Sequence, residues 1–304
     1  MNANAILKIL NFYMLVNKLH INMSKCCFIE FKTPSKNTEI DDVNDNFILK
    51  IKNHSIKKVS ETKFLGVTID ENLNWNSHIK NLLKKLSCSA GILNIIKDNI
   101  PEELHKDLYY TLFESHLAYG IAAWGGVTNN KLDTIFKAQK KCMRILFGDR
   151  EAYLDKFKTC ARVREFGNQK LGPEFYKREH TKPLFNQKSI MNVRNLYIYH
   201  CSNDLLKILK FRTPMSIFEL FELSKRTGKE TRLIPCNPSN NFLYTGSLIW
   251  NVVRELIKIY DFSIKVGPTK AAVKKEILKT QGDGDPVEWQ HDSWNAINYH
   301  MYKG

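Results

Sequence analysis

With 304 residues, of which 43% are hydrophobic and 11% aromatic, the chain has the material for two packed domains and lacks the composition of a disordered polymer. A formal charge of +15 at pH 7 draws such a surface to polyanions, either nucleic acid or an acidic membrane face, and composition alone does not choose between them. No apolar run approaches the ~20 residues that span a bilayer, and Lys8 inside the first apolar segment, with no small-residue cleavage pattern after it, argues against a signal peptide.

In chain order, Ile6, Ile9, Leu10, Tyr13 and Met14 recur at helical spacing and predict a helix over 5–16. The stretch 19–31 is rich in Ile, Phe and Cys, as expected of buried strands broken by a turn at Asn22-Met23-Ser24. A polar loop over 33–46 carries Pro34 and several asparagines. Strands are predicted over 47–51 and 56–69, with Asn53-His54 placed where a hairpin turn would be. After Asp70 the period becomes helical. Ile79, Leu82, Leu83, Leu86, Ala90 and Leu93 mark one face, Lys80, Lys84 and Lys85 lie largely off it, and Asn76 or Ser77 is the expected N-cap. A second helix is predicted from Pro101 toward Tyr119, opened by Glu102 and Glu103 and closed near Gly120. A third spans 131–147 up to Gly148, with Lys137, Lys140, Lys141 and Arg144 off its apolar face.

Residues 151–176 read as a helix followed by a looser segment. Further helices are predicted over 193–210, 214–223, 247–259 and 269–280, with a loop over 225–241 and a flexible tail from Gln281. The seven cysteines, at 26, 27, 88, 142, 160, 201 and 236, are odd in number and unpatterned. That usage fits a reducing compartment, hence an intracellular protein of the cytoplasm or nucleus.

Several segments, taken in order, carry a resemblance. Asn17-Lys18-Leu19-His20-Ile21-Asn22-Met23-Ser24-Lys25 is followed by Phe64-Leu65-Gly66-Val67-Thr68-Ile69-Asp70 and Trp75-Asn76-Ser77-His78-Ile79. Further on come Tyr119-Gly120, Ala123-Trp124-Gly125 and Gln139-Lys140-Lys141-Cys142-Met143-Arg144, then 180–185 and 195–199. The series resembles the end of the palm, the thumb and the C-terminal region of a jockey-like non-LTR retrotransposon reverse transcriptase. Cys26 stands where that family usually has Thr, and Tyr13 roughly where it has Trp. The resemblance implies RNA-directed DNA polymerisation for the intact enzyme, with Mg²⁺ as its metal. It also implies a chain that starts past the catalytic Asp pair, so that this piece holds no cofactor and pairs with the missing N-terminal part.

Nucleotide addition by polymerases needs close carboxylates to hold two metal ions. The Asp41-Asp42 pair lacks a preceding Tyr and follows Lys25 rather than preceding it, so it reads as a solvated acidic patch and the chain alone is expected to be inactive. By resemblance Lys25 would sit under the incoming nucleotide as a general acid; the plain reading is a surface lysine. Phe64, Leu65 and Gly66 resemble a primer grip, with Gly66 allowing close backbone approach; the plain reading is a hairpin with Gly66 at a bend. Phe64, Leu65 and Val67 are expected in the core on either reading. Lys80, Lys84 and Lys85 on one helix and Lys137, Lys140, Lys141 and Arg144 on another either face a duplex backbone or form solvated faces. Trp75 and Trp124 read as core anchors ahead of base-stacking platforms. Cys160, His180 and Cys201 lack metal-ligand spacing, and no metal site is expected.

The expected fold is α+β. A small antiparallel palm-remnant sheet occupies 1–72, an all-α thumb 73–150, a helical C-terminal region 151–280 and a tail 281–304. The expected partner is primer–template nucleic acid, with no membrane. The alternative reading is a non-enzymatic basic helical interaction module, or a degenerate retroelement remnant.

Overall fold

The computed structural model describes residues 3–31, 48–52, 54–148, 181–224, 231–234, 242–259 and 265–282. The expectations for 33–46, 151–176 and the tail beyond Gly282, and for Asp41, Asp42, Cys160 and His180, fall outside them, while Gln281 and Gly282, expected to open that tail, end the last helix. The fold is α+β: mostly helix, with four two-stranded pieces of sheet among the described residues. The chain divides into two compact units, 1–80 and 81–304.

The first unit opens with helix α1 (Ala3–Val16). The Asn4 side chain works as a short strand edge, its Nδ2 donating to the Ile48 carbonyl at 3.1 Å and its Oδ1 accepting from Lys50 N at 2.9 Å. No residue of α1 is buried, because apolar side chains surround it while the strand it packs on is two residues long. The strands are β1 (Cys27–Phe28), β2 (Lys50–Ile51), β3 (His54–Ser55), β4 (Lys57–Lys58), β5 (Glu61–Phe64) and β6 (Val67–Asp70).

One antiparallel sheet is expected over these residues, and the structure differs. Strands β2–β3 and β5–β6 form separate antiparallel hairpins, and β1 pairs with β4 in parallel, Cys27 opposite Lys57. The predicted strand 56–69 is therefore cut into three by its turns, and 19–31 yields a 3-10 turn (Met23–Lys25) and two strand residues, none of them buried. Among the described residues of this unit, Ile51, His78 and Ile79 are the buried ones. An alternating pattern this short does not bury enough apolar area to hold a long strand straight.

Helix α2 (Asn76–Ile96) begins in the first unit and continues into the second. Neither Asn76 nor Ser77 caps it. Asp70, at the end of β6, accepts from Asn72 N and Asn74 N through Oδ1 (3.2 and 2.9 Å) and from Trp75 N through Oδ2 (2.8 Å). One carboxylate thus satisfies three amides at the strand-to-helix corner, the task a local N-cap usually performs. The corner is tight, with Leu73 and Trp75 at φ 52° and 62°. The Thr68 amide donates to His78 Nδ1 at 3.3 Å and closes one edge of β6.

In the second unit the helix predicted from Pro101 is not a single α-helix. A 3-10 turn (Glu102–Leu104) leads into α3 (His105–Leu108), a π-helical segment over Tyr109–Glu114 and α4 (Ser115–Ala118). The cause is legible in the spacing. Tyr109, Phe113, Leu117 and Ile121 are all buried and all four residues apart, and an α-helix drifts about 40° per such step. The wider π turn takes up that drift. Gly120, at φ 63°, then reverses the chain into α5 (Ile121–Trp124). Trp124 is fully buried, its Nε1 donating to the Tyr119 carbonyl at 2.9 Å.

Helix α6 (Asn129–Phe147) buries Leu132, Ile135, Gln139, Cys142, Met143 and Leu146. Its last carbonyls are met by cations and rings from elsewhere: Lys97 Nζ donates to Ile145 O at 3.1 Å, and His105 Nδ1 lies 3.2 Å from Leu146 O. That is where the helix dipole favours positive groups. Then follow α7 (Lys182–Gln187), α8 (Val193–Phe211), α9 (Met215–Phe218), β7 (Glu222–Leu223), β8 (Leu233–Ile234), α10 (Phe242–Leu256) and α11 (Val266–Gly282).

Helix α8 is the hub, packing against α4, α5, α6, α9, α10 and α11. It starts at Asn192, whose side chain accepts from Asn195 N. Gly125 lets it come close. A Cβ there would sit 2.6 Å from Ile121 O and overlap the Tyr197 ring. The C-terminal region is not purely helical as expected. The predicted helix 214–223 is one turn long and gives way to β7, which pairs antiparallel with β8. Asn251 holds β8 through both ends of its amide, donating to Leu233 O at 2.8 Å and accepting from Leu233 N at 2.9 Å.

Candidate nucleic-acid interface

Strands β5 and β6 pair in strict register from Glu61–Asp70 to Phe64–Val67, which leaves Leu65 and Gly66 as a two-residue turn. Both have positive φ, 45° and 86°. A turn of this hand matches the strand twist and favours Asn-Gly; here a leucine takes the left-handed position, where an L side chain costs roughly 1–2 kcal/mol. Gly66 is therefore the second residue of the turn, not a bulge inside a strand. Phe64 and Leu65 are not core residues as expected. They are 61% and 75% exposed, while Val67 is half-buried. The hairpin projects an apolar tip flanked by Lys63 and supported at its base by the Asp70 corner.

Lys25 closes the 3-10 turn that Asn22 caps by accepting from Ser24 N at 3.1 Å, and its side chain is exposed. Among the described residues nothing acidic forms an ion pair with it, and no group of three His, Cys, Asp or Glu side chains gathers in a metal-ligating arrangement. Lys80, Lys84 and Lys85 are exposed on α2, off the face of Leu82, Leu86 and Leu93, and take part in no ion pair among the described residues.

Helix α6 carries the strongest arrangement. Lys137, Lys140, Lys141 and Arg144 stand at i, i+3, i+4 and i+7, so a helix puts them on one stripe about 10 Å long. Lys137 and Lys141 are exposed and make no ion pair among the described residues. Lys140 is half-buried, with Nζ 4.2 Å from the centre of the Phe136 ring, a cation–π contact. Its amine is held below the usual lysine range, first by burial and then by the positive charge of Arg144, with Asp133 opposing and Arg194 and Lys137 adding to it. The acidic residue of α6, Asp133, already accepts from Arg194 Nη2 at 2.6 Å. The stripe therefore repels itself, a state that an approaching polyanion relieves.

Three residues, Asp70, Arg194 and Gln139, carry structural roles that were not expected of them from the sequence. Gln139 is fully buried. Its Nε2 donates to the Tyr109 hydroxyl at 2.8 Å and to Met191 O at 2.9 Å, and its Oε1 accepts from Val193 N at 2.9 Å. It ties the face of α6 opposite the stripe to the π segment and to the start of α8. A polar residue in register with Ile135, Cys142 and Leu146 was the signal for it. Asp70 and Arg194 gave none, since their partners depend on chain reversal and helix docking.

Trp124 is core, and Trp75 is half-buried with its ring edge-on to His78 at 6.3 Å. Burial pushes the Cys142 thiol up to about 12, and raises that of Cys201 as well, so neither is a thiolate at neutral pH. No helix among the described residues is long and apolar enough to cross a membrane.

Comparisons of the chain with protein-family models, with curated proteins and with solved structures find no match.

Proposed function

We propose that this chain grips nucleic acid, as the palm end and thumb of a non-LTR retrotransposon reverse transcriptase. The observation that carries the reading is the basic stripe of α6, on which Lys137 and Lys141 are exposed and make no ion pair among the described residues. Four cations on one rigid face, with their acidic neighbour engaged elsewhere, suit a run of phosphates better than they suit solvent. The exposed hairpin tip adds a second kind of contact: Phe64 and Leu65 offer apolar surface to a sugar or base edge, with Gly66 bringing the backbone close. By the same resemblance, phosphoryl transfer in such enzymes belongs to an Asp pair and Mg²⁺, with Lys25 in the position of the general acid. The part of the residues described above is to hold primer and template.

Binding of duplex by the purified chain, titrated across salt concentration, tests this. Contacts from the four stripe cations give a log–log salt slope of about −3 to −4, with no sequence preference. The double variant K137A/K141A should lower that slope by about 2 and leave the fold intact. Absence of salt-sensitive retention of duplex overturns the proposal. Binding that survives raised salt and needs a particular acidic protein supports the interaction-module reading instead.

A further inference from the structure

The π-helical segment Tyr109–Glu114 uses its widened turn to keep Tyr109 and Phe113 in the core, their rings stacked at 5.6 Å. The same turn carries Tyr110 and Glu114, four residues apart, on the adjoining side. Glu114 is partly buried, and its Oε2 is shut off from solvent without accepting a hydrogen bond. A carboxylate in that position is left unsatisfied, whereas a neutral carboxyl loses far less by burial. The charge brought to it by another element is Lys274 of α11, whose ammonium lies 5.8 Å from the centre of the Tyr110 ring. Among the described residues Glu114 also acts on Tyr109 and Tyr110, which are in turn acted on by Cys142 of α6 and by Asp107 of the same helical run respectively. Helix α11 is seated by buried Val273 and Ile277 and packs on α7 and α8.

We propose that Glu114 is a proton latch for α11: the neutral carboxyl tolerates the seated helix, and the ionised one favours a state in which α11 has lifted and the carboxylate meets water. Burial, opposed by the weaker pull of Lys274, raises the Glu114 pKa from 4.5 to about 7 in the seated form. A group that binds its proton more tightly in the closed state holds that state best below its open-state value. The advantage declines as pH rises from 4.5 and is gone above about 7, where both states are ionised.

Hydrogen exchange of the full chain, with protection over 266–282 corrected for intrinsic rate, reads this out. The opening equilibrium is expected to rise by as much as about tenfold per pH unit between roughly pH 5 and 7, then level off. The hub helix 193–211 serves as the reference and should not follow. E114Q should flatten the profile. K274M, which removes the opposing charge, should move the levelling point to higher pH and keeps the test valid if E114Q fails to fold. A flat profile in the parent chain overturns the latch. So does an unchanged slope in E114Q, or a levelling point that K274M leaves in place.

Discussion

Replacing Gln139 with leucine isolates one polar clamp at nearly constant volume. The change orphans the Val193 amide, the Met191 carbonyl and the Tyr109 hydroxyl at once, in a place where Val193 and Tyr109 are fully buried and Met191 nearly so. A buried polar group left without a partner costs about 1–3 kcal/mol. The hydroxyl can rotate and the carbonyl keeps a second lone pair, so these two belong at the low end and the amide in the middle. The loss should total about 4 kcal/mol. In urea, with a slope on the order of 2–3 kcal/mol/M for a unit of this size, the unfolding midpoint should fall by more than about 1 M. Q139A should cost more, because it adds a cavity to the same orphaned groups. A double-mutant cycle with Tyr109→Phe should show coupling of about 1 kcal/mol. A midpoint shift below about 0.3 M for Q139L would refute the reasoning, since it would mean the three groups find other partners.

Leu65→Asn, which suits the left-handed turn position, should stabilise the hairpin by about 0.5–1 kcal/mol while weakening duplex binding, seen by pairing thermal unfolding with a binding titration. Asp70→Ala should cost about 2 kcal/mol by stripping the acceptor from three amides at the start of α2, and should raise amide exchange over 72–76. Gly125→Ala should cost about 1–3 kcal/mol through overlap with Tyr197, and Tyr197→Ala in the same chain should recover part of that loss in chemical denaturation.

Where residues interact within a turn or two, the sequence was enough. The 3.6-residue period placed α2 and α6 and put Lys137, Lys140, Lys141 and Arg144 on a common stripe, because helix geometry relates positions three and four apart without reference to anything else. The prediction of one strand over 56–69 found strand character but not its breaks, since Leu-Gly is an unusual pair for a tight hairpin turn and the left-handed leucine left no compositional trace. The expected core places for Phe64 and Leu65 failed for a related reason. Hydrophobicity states a preference for burial, while the register of β5 and β6 decided that these two residues sit at the tip.

Contacts across tens of residues belonged to tertiary structure alone. Arg194 reaching Asp133, Gln139 as the tie between α6 and α8, and Lys274 facing Glu114 each join groups whose meeting depends on how helices dock, and no local pattern encodes a docking angle. Composition and charge established a basic chain, and the periodicities of its segments gave the α+β class. That the acidic residue of α6, Asp133, is engaged by Arg194 while Lys137 and Lys141 stand exposed beside it was decided only by how the helices dock.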